Sequence, residues 1–234
     1  MPRGVNDFDT GRIQGRNVGD ANSSNIVSPG IVTDGLVLHL DAGNYQSYPI
    51  AGTSWYDLSG YGNNGTLTNG PTYVRDGGGA IDFDGTNDYV TGPITNLSVY
   101  TLCVFMMQDA FKSGGGIIGG SNTSIYIQMG GVTDSWQFEN AVVSSSDWLT
   151  TGKWTYLCGV QNSSNIQQAY KDGVLAGSAT AGSVALGTSY AIARRPIGLV
   201  HSNIKVAIAQ IYDRALSGQE ILQNFNATRS RFNI

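Results

Sequence analysis

From Gly35 onward, hydrophobic and polar positions alternate in short bursts separated by turns rich in glycine and asparagine. GLVLHLD (35–41) opens the series. In AIDFDG (80–85), Ile81 and Phe83 share one face while Asp82 and Asp84 share the other, the period-two pattern of a half-buried strand. TLCVFMM (101–107) is apolar throughout, as a strand covered on both sides is. SIYIQMG and WQFEN read as further strands. GKWTYLCGVQ and IQQAYKDGVLAGS follow, and in the latter Asp172-Gly173 sits between two β-prone runs, a strong hairpin signal. IKVAIAQIYDRAL alternates again near the end. One helix stands out: Ser217-Gly218-Gln219-Glu220 forms a capping box, and Ile221, Leu222 and Phe225 then recur at helical spacing.

About a dozen short strands with one late helix predict a single all-β, two-layered antiparallel sandwich. No repeat and no second domain is visible. Composition agrees: 32 of the 234 residues are glycine, and charged residues make up only 13%. The net charge of -4 excludes a nucleic-acid partner, which needs clustered Lys and Arg. No apolar run approaches the ~20 residues of a membrane span. No signal-like apolar stretch follows Met1, so synthesis is expected to finish in a cytoplasm, with Cys103 and Cys158 as two reduced core thiols. Residues 1–30 lack hydrophobic periodicity and mix Arg3, Arg12 and Arg16 with Asp7 and Asp9. They read as an extended arm that orders against a partner, ahead of a domain spanning 31–234.

Taken in order, GLVLHLDAGN, WYDLSGYGNNGTLTNGPTY, AIDFDGTNDYV, GKWTYLCGV with AYKDGVLAGS, and IAQIYDRALSGQEI resemble the concanavalin A-like lectin/glucanase superfamily, specifically its laminin-G-like jelly rolls. The resemblance implies a jelly-roll sandwich in which WYDLSGYGNNG is a turn system. Asp57 and Ser59 suit side-chain-to-backbone turns there, and Gly60, Gly62 and Gly65 allow positive φ. Jelly rolls with a short leading arm recur among structural proteins of tailed bacteriophages, and the ending IYDRALSGQEILQNFNATRSRF is similar to theirs. That resemblance implies a virion protein: a capsid decoration, head fibre or tail-fibre component, with capsid or tail subunits, or further copies of itself, as partners.

The candidate chemistry points away from catalysis. Glycoside hydrolysis usually needs two carboxyl groups flanking the bond. The chain has two glutamates; Glu220 is committed to the helix cap and Glu139 stands alone. His39 and His201 lie near no nucleophile motif. No cofactor is required, but Asp82, Asp84, Asn87 and Asp88 place enough oxygen ligands together to raise calcium as a structural ion. The alternative function is a carbohydrate-binding module for a host surface polysaccharide, with Trp55, Tyr56, Tyr61, Trp136 and Trp148 as the candidate stacking residues. Arg194-Arg195-Pro196 reads as a solvated loop, and Trp154 as packing.

Overall fold

The computed structural model describes residues 30–121, 126–130, 135–138, 141–142, 149–180, 182, 184–195 and 199–234. The five charged arm residues named above therefore lie outside the described residues, as do Glu139, Trp148 and Pro196. The described chain lays down sixteen strands, more than the pattern predicts, because some turn-rich stretches carry very short strands of their own. The first four are β1 (Leu36–Asp41), β2 (Ser54–Trp55), β3 (Gly65–Thr68) and β4 (Thr72–Val74). Then come β5 (Ala80–Asp84), β6 (Tyr89–Pro93), β7 (Tyr100–Ala110) and β8 (Gly116–Gly120). β9 (Tyr126–Met129), β10 (Trp136–Phe138) and β11 (Ala141–Val142) are followed by β12 (Trp154–Gln161). β13 (Ile166–Lys171), β14 (Val174–Thr180), β15 (Ser189–Ile192) and β16 (Asn203–Tyr212) complete the set. α1 (Gly218–Thr228) follows and runs into a 3-10 turn at Arg229–Phe232.

These strands form two antiparallel sheets, the two-layered sandwich with a short C-terminal helix that the alternation predicts. The first sheet runs β14-β13-β12-β7-β16-β5-β4. β16 also pairs with β1: its Asn203–Val206 half faces β5, and its Ile208–Tyr212 half faces β1. A register shift between Val206 and Ile208 marks the handover. The second sheet runs β11-β10-β9-β8-β15-β6-β3-β2. Asp172 (φ 51) and Gly173 (φ 82) form the expected two-residue hairpin loop between β13 and β14, with Lys171 opposite Val174.

The middle of the first sheet is apolar on both faces, which explains the unbroken run at 101–107. Leu102, Val104 and Met106 of β7 join Leu157, Ile204 and Ile211 in the core between the sheets, against Trp55, Trp136, Phe138 and Tyr190. Cys103, Phe105, Tyr156, Cys158 and Tyr212 face the other way, under Ile221 and Phe225 of α1 and Phe232 beyond it. Phe105 and Phe232 stack with ring centroids 4.0 Å apart. Each fully buried side chain of this size stabilises the fold by about 1.5–3 kcal/mol. Gly159 is needed for the fit: a Cβ there would come within 2.3 Å of the Phe138 ring.

The helix begins as its capping box predicts. Glu220 N donates to Ser217 Oγ, and Ser217 N donates to a Glu220 carboxylate oxygen at 2.8 Å. Arg214 adds an ion pair to the other oxygen at 2.6 Å. The apolar stripe differs from expectation: Leu222 is exposed, and Asn224 is buried in its place. Asn224 Oδ1 accepts Val32 N–H at 2.7 Å, Tyr212 OH donates to Val32 O, and Gln223 donates to Gly30 O. The polar groups of the helix thus clamp the chain where residues 30–32 enter the body.

The cysteines correct the sequence reading. Cys103 and Cys158 are opposed in register on β7 and β12, with Cα atoms 4.2 Å apart, and they form a disulfide. Directly opposed strand residues are the pairs close enough for such a bond. Both are fully buried.

Two outcomes follow for stability. Alkylation of the unfolded chain without reductant should modify neither cysteine, and Cys103→Ala with Cys158→Ala should cost about 2–4 kcal/mol in chemical denaturation; labelling of both thiols before reduction would contradict the cross-link. The Arg214 and Ser217 bonds pull the Glu220 carboxyl down from the usual range to about 2. A depressed carboxyl stabilises the fold above its unfolded pKa and loses that contribution as pH falls through the folded one. Glu220→Gln should therefore cost about 1 kcal/mol at neutral pH, and the gap to wild type should close between about pH 4.5 and 2 when thermal melting is followed against pH.

Candidate functional site

The outer face of the first sheet is apolar only where α1 covers it. Towards its β4 edge the residues become polar, in a row fixed by strand register: Thr72 on β4 pairs with Asp82 on β5, which pairs with Lys205 on β16. Lys205 Nζ donates to Asp109 Oδ1 at 2.6 Å. Beyond this row the β3–β4 turn and the β5–β6 loop close over a pocket of about 230 Å³, lined by Asn69, Gly70, Thr72, Asp82, Asp84 and Asp88. Asn69 (φ 69) and Gly70 (φ 107) take the left-handed conformation that the tight turn requires. Asn69 Nδ2 bridges the two loops by donating to Asn87 O at 2.7 Å.

Charge in the pocket is graded by surroundings. Burial pushes the Asp82 carboxyl up, with Lys205 opposing. Burial also pushes Asp88 up, with the Asp84 amide opposing. Asp84 is held low, chiefly by the Thr86 backbone N–H. His201 lies near Asp84 and Asp88; burial and then Arg194 hold it towards its neutral form. Arg194 itself lies 3.8 Å above the Tyr89 ring.

The four calcium candidates are neighbours here, and some of their oxygens serve the turn. Asp84 Oδ1 accepts the Thr86 and Asn87 amides, Asp88 Oδ2 accepts the Asp84 amide, and the Asn87 carbonyl is taken by Asn69. Among the described residues no group of three or more His, Cys, Asp or Glu is arranged to hold a metal ion.

The aromatic candidates divide. Trp55 (0% exposed) and Trp136 (2%) lie in the core between the sheets, so neither offers a ring face to a sugar. This corrects the sequence reading, in which the direction of each indole was free. Tyr56 and Tyr61 are exposed, on the β2–β3 loop that Asp57 holds together. The Asp57 carboxylate accepts four bonds: from the backbone N–H groups of His39, Ser59 and Asn63, and from the Ser59 hydroxyl. Asn63 reaches back to Val37 O, and Tyr190 OH donates to Asn63 O. WYDLSGYGNNG is thus largely a turn system, as its pattern implies, with Gly60 (φ 92) and Gly62 (φ 75) at positive φ; Gly65 differs from expectation, because it opens β3 and does not take positive φ. Sequence reasoning missed Tyr45, which is 71% exposed on the β1–β2 loop. Its setting between asparagine and glutamine was the available signal.

Residues 84–222 match a family model described as belonging to the concanavalin A-like lectin/glucanases superfamily, and the chain belongs to that laminin-G-like family. No curated protein matches the sequence. Solved structures share the fold at low identity. Domain 4 of AbnA, an extracellular arabinanase from Geobacillus stearothermophilus solved with arabinotriose, is 17% identical at a TM-score of 0.61; the match covers 81% of this chain and 97% of that one. The binding domain of Paraclostridial Mosquitocidal Protein 1 is 16% identical at 0.64, over 83% and 52%. Trypanosoma rangeli sialidase in complex with sialic acid is 16% identical at 0.62, over 86% and 34%. The chain therefore spans about half of the mosquitocidal domain's length and a third of the sialidase's.

Removing the Asp57 hub tests the rigidity of the loops. Asp57→Ala should cost about 2–3 kcal/mol and strip exchange protection from the Ser59 and Asn63 amides; full protection of both in the variant would deny Asp57 this role.

Proposed function

We propose that this chain is a non-catalytic carbohydrate-binding jelly roll. One observation carries the reading: a concavity of about 230 Å³ whose lining consists of carboxylates, an amide, a hydroxyl and turn backbone. Such a lining suits sugar hydroxyls, which donate to carboxylate oxygens and accept from amide N–H groups. Membership of the lectin/glucanase superfamily supports it. So does the shared fold with an arabinanase domain solved with arabinotriose. Hydrolysis is left out of the reading because Glu220, the glutamate among the described residues, is spent on Arg214 and Ser217. The module needs no metal to bind.

A second reading concerns context, and the clamp at Gly30 and Val32 favours it. Gln223 and Asn224 hold Gly30 O and Val32 N–H beside α1. An arm rooted so firmly suits a protein anchored to a larger particle, and we place it there: a tailed-phage virion, with capsid or tail subunits as the arm's partners. Deleting residues 1–30 should abolish incorporation into particles while leaving glycan binding intact.

Calorimetry of the full chain against a polysaccharide panel tests the main reading. Saturable binding without product release is expected, weakened about tenfold or more by Asp82→Asn or Asp84→Asn. Hydrolysis that disappears on Asp82→Asn would make the protein an enzyme instead.

A further inference from the structure

The two loops that flank β2 carry an unusual surface. Tyr45 is 71% exposed, Tyr61 67%, Ile50 52% and Tyr56 46%. Large side chains exposed together are informative where scattered single ones are not. The loops are also stitched to each other: Tyr56 N–H donates to Ser47 O at 2.7 Å, and Ser47 Oγ donates to Tyr56 O at 2.6 Å. With the Asp57 hub holding the second loop, the tyrosine backbones are fixed before any ligand arrives. Preorganisation of this kind removes much of the ordering cost of binding.

Charge is the second observation. Between Ala42 and Val74 the sequence carries a single charged side chain, Asp57, and its carboxylate is consumed by four internal hydrogen bonds. Arg231 packs against Gly43, but its guanidinium is spent on Asp41 and on the carbonyls of Gly77 and Gly79. His39, beneath the second loop, is held towards its neutral form by burial. An anionic ligand finds no free cation on these loops.

We infer that these loops are a stacking surface for an uncharged polysaccharide, with Tyr45, Tyr56 and Tyr61 as its contact residues. The inference rests on the carbohydrate reading above and narrows its ligand class. Sugar C–H faces pack on tyrosine rings, and hydroxyls meet the polar groups interleaved with them, including Asn44, Gln46 and Ser54. Tyrosine, serine, glycine and asparagine also suit a protein partner. The glycan is favoured because the tyrosines are spaced by polar residues, and Ile50 is the one large aliphatic side chain exposed on these loops, where a protein interface has an apolar centre.

The test uses the full chain with three neutral probes (a linear arabinan, a β-glucan and a galactomannan) and two anionic ones (polygalacturonate and polysialic acid), at low and high salt. Binding to a neutral chain is expected, nearly unchanged by salt. Tyr45→Ala, Tyr56→Ala and Tyr61→Ala should each weaken it about fivefold, the equivalent of about 1 kcal/mol, with unchanged melting temperatures because the rings are exposed. Salt-sensitive binding to the anionic probes alone overturns the inference and leaves the carbohydrate reading standing. So does neutral binding that ignores the tyrosines but is lost on Asp82→Asn. Binding to none of the five, or to a protein instead, overturns both.

Discussion

Strand β16 must hold three neighbours at once, and the rest of the structure depends on that sharing. It pairs with β7 along its length, with β5 through its first half and with β1 through its second. A straight strand offers two edges, so one edge has to be divided, and the register shift at Val206–Ile208 is where the division falls. Everything functional inherits this geometry. The β5 half carries Asp82 and Asp84 outward beside Lys205. The β1 half positions His39 and Val37, whose backbone groups anchor the loop around Asp57.

The same strand sits in a sheet with two buried faces, which forces a division of labour. One face packs on the second sheet, and the other needs a cover that the strands cannot supply. α1 and the 3-10 turn supply it, with Ile221, Phe225 and Phe232 over Phe105, Tyr156 and the Cys103–Cys158 bridge. The cover reaches Ala80 of β5 and Val74 at one end of β4, and beyond it the outer face turns to the polar row of Thr72, Asp82 and Lys205 that leads into the pocket. The pocket is thus a consequence of where the helix stops. Arg231 seals that boundary by tying the chain end to Asp41 and to the turn at Gly77–Gly79.

Local patterns in the sequence proved legible where the physics is local. Period-two alternation gave AIDFDG its faces, Asp172-Gly173 its hairpin, and Ser217-Gly218-Gln219-Glu220 its helix start. What stayed hidden was set by distant register. Cys103 and Cys158 lie 55 residues apart, and only the alignment of β7 with β12 makes them opposite. Trp55 ends a two-residue strand with no alternation from which to read its direction, so its burial could not be told from the exposure of Tyr56 beside it. Asn224 broke the apolar stripe of the helix for a similar reason: its partner, Val32, is 192 residues away. The candidate site was half legible. The acidic cluster was visible as a cluster, but the pocket also needs Asn69 from the β3–β4 turn and Thr72 from β4.

The polar groups of this protein fall into two populations with different consequences. Asp57, Glu220, Arg231 and Asn224 are saturated by internal partners, so they build the scaffold and contribute little outward. The exposed Tyr56 and Tyr61 sit on a loop held by Asp57, and the pocket carboxylates sit on a turn held by its own amides and by Asn69. On the proposed glycan surface, residues 42–74 carry one charged side chain, Asp57, so long-range attraction contributes little there. Recognition must then come from short-range fit on loops that do not move, and that is the regime in which a rigid turn system with a single, fully occupied carboxylate is an advantage. Tyrosine exposure without neighbouring charge is costly to maintain as mere surface, since it invites non-specific association. The Asp57 network makes sense of it: it fixes the backbone beneath the rings, so that the exposed area is a defined shape and not an adaptable apolar patch.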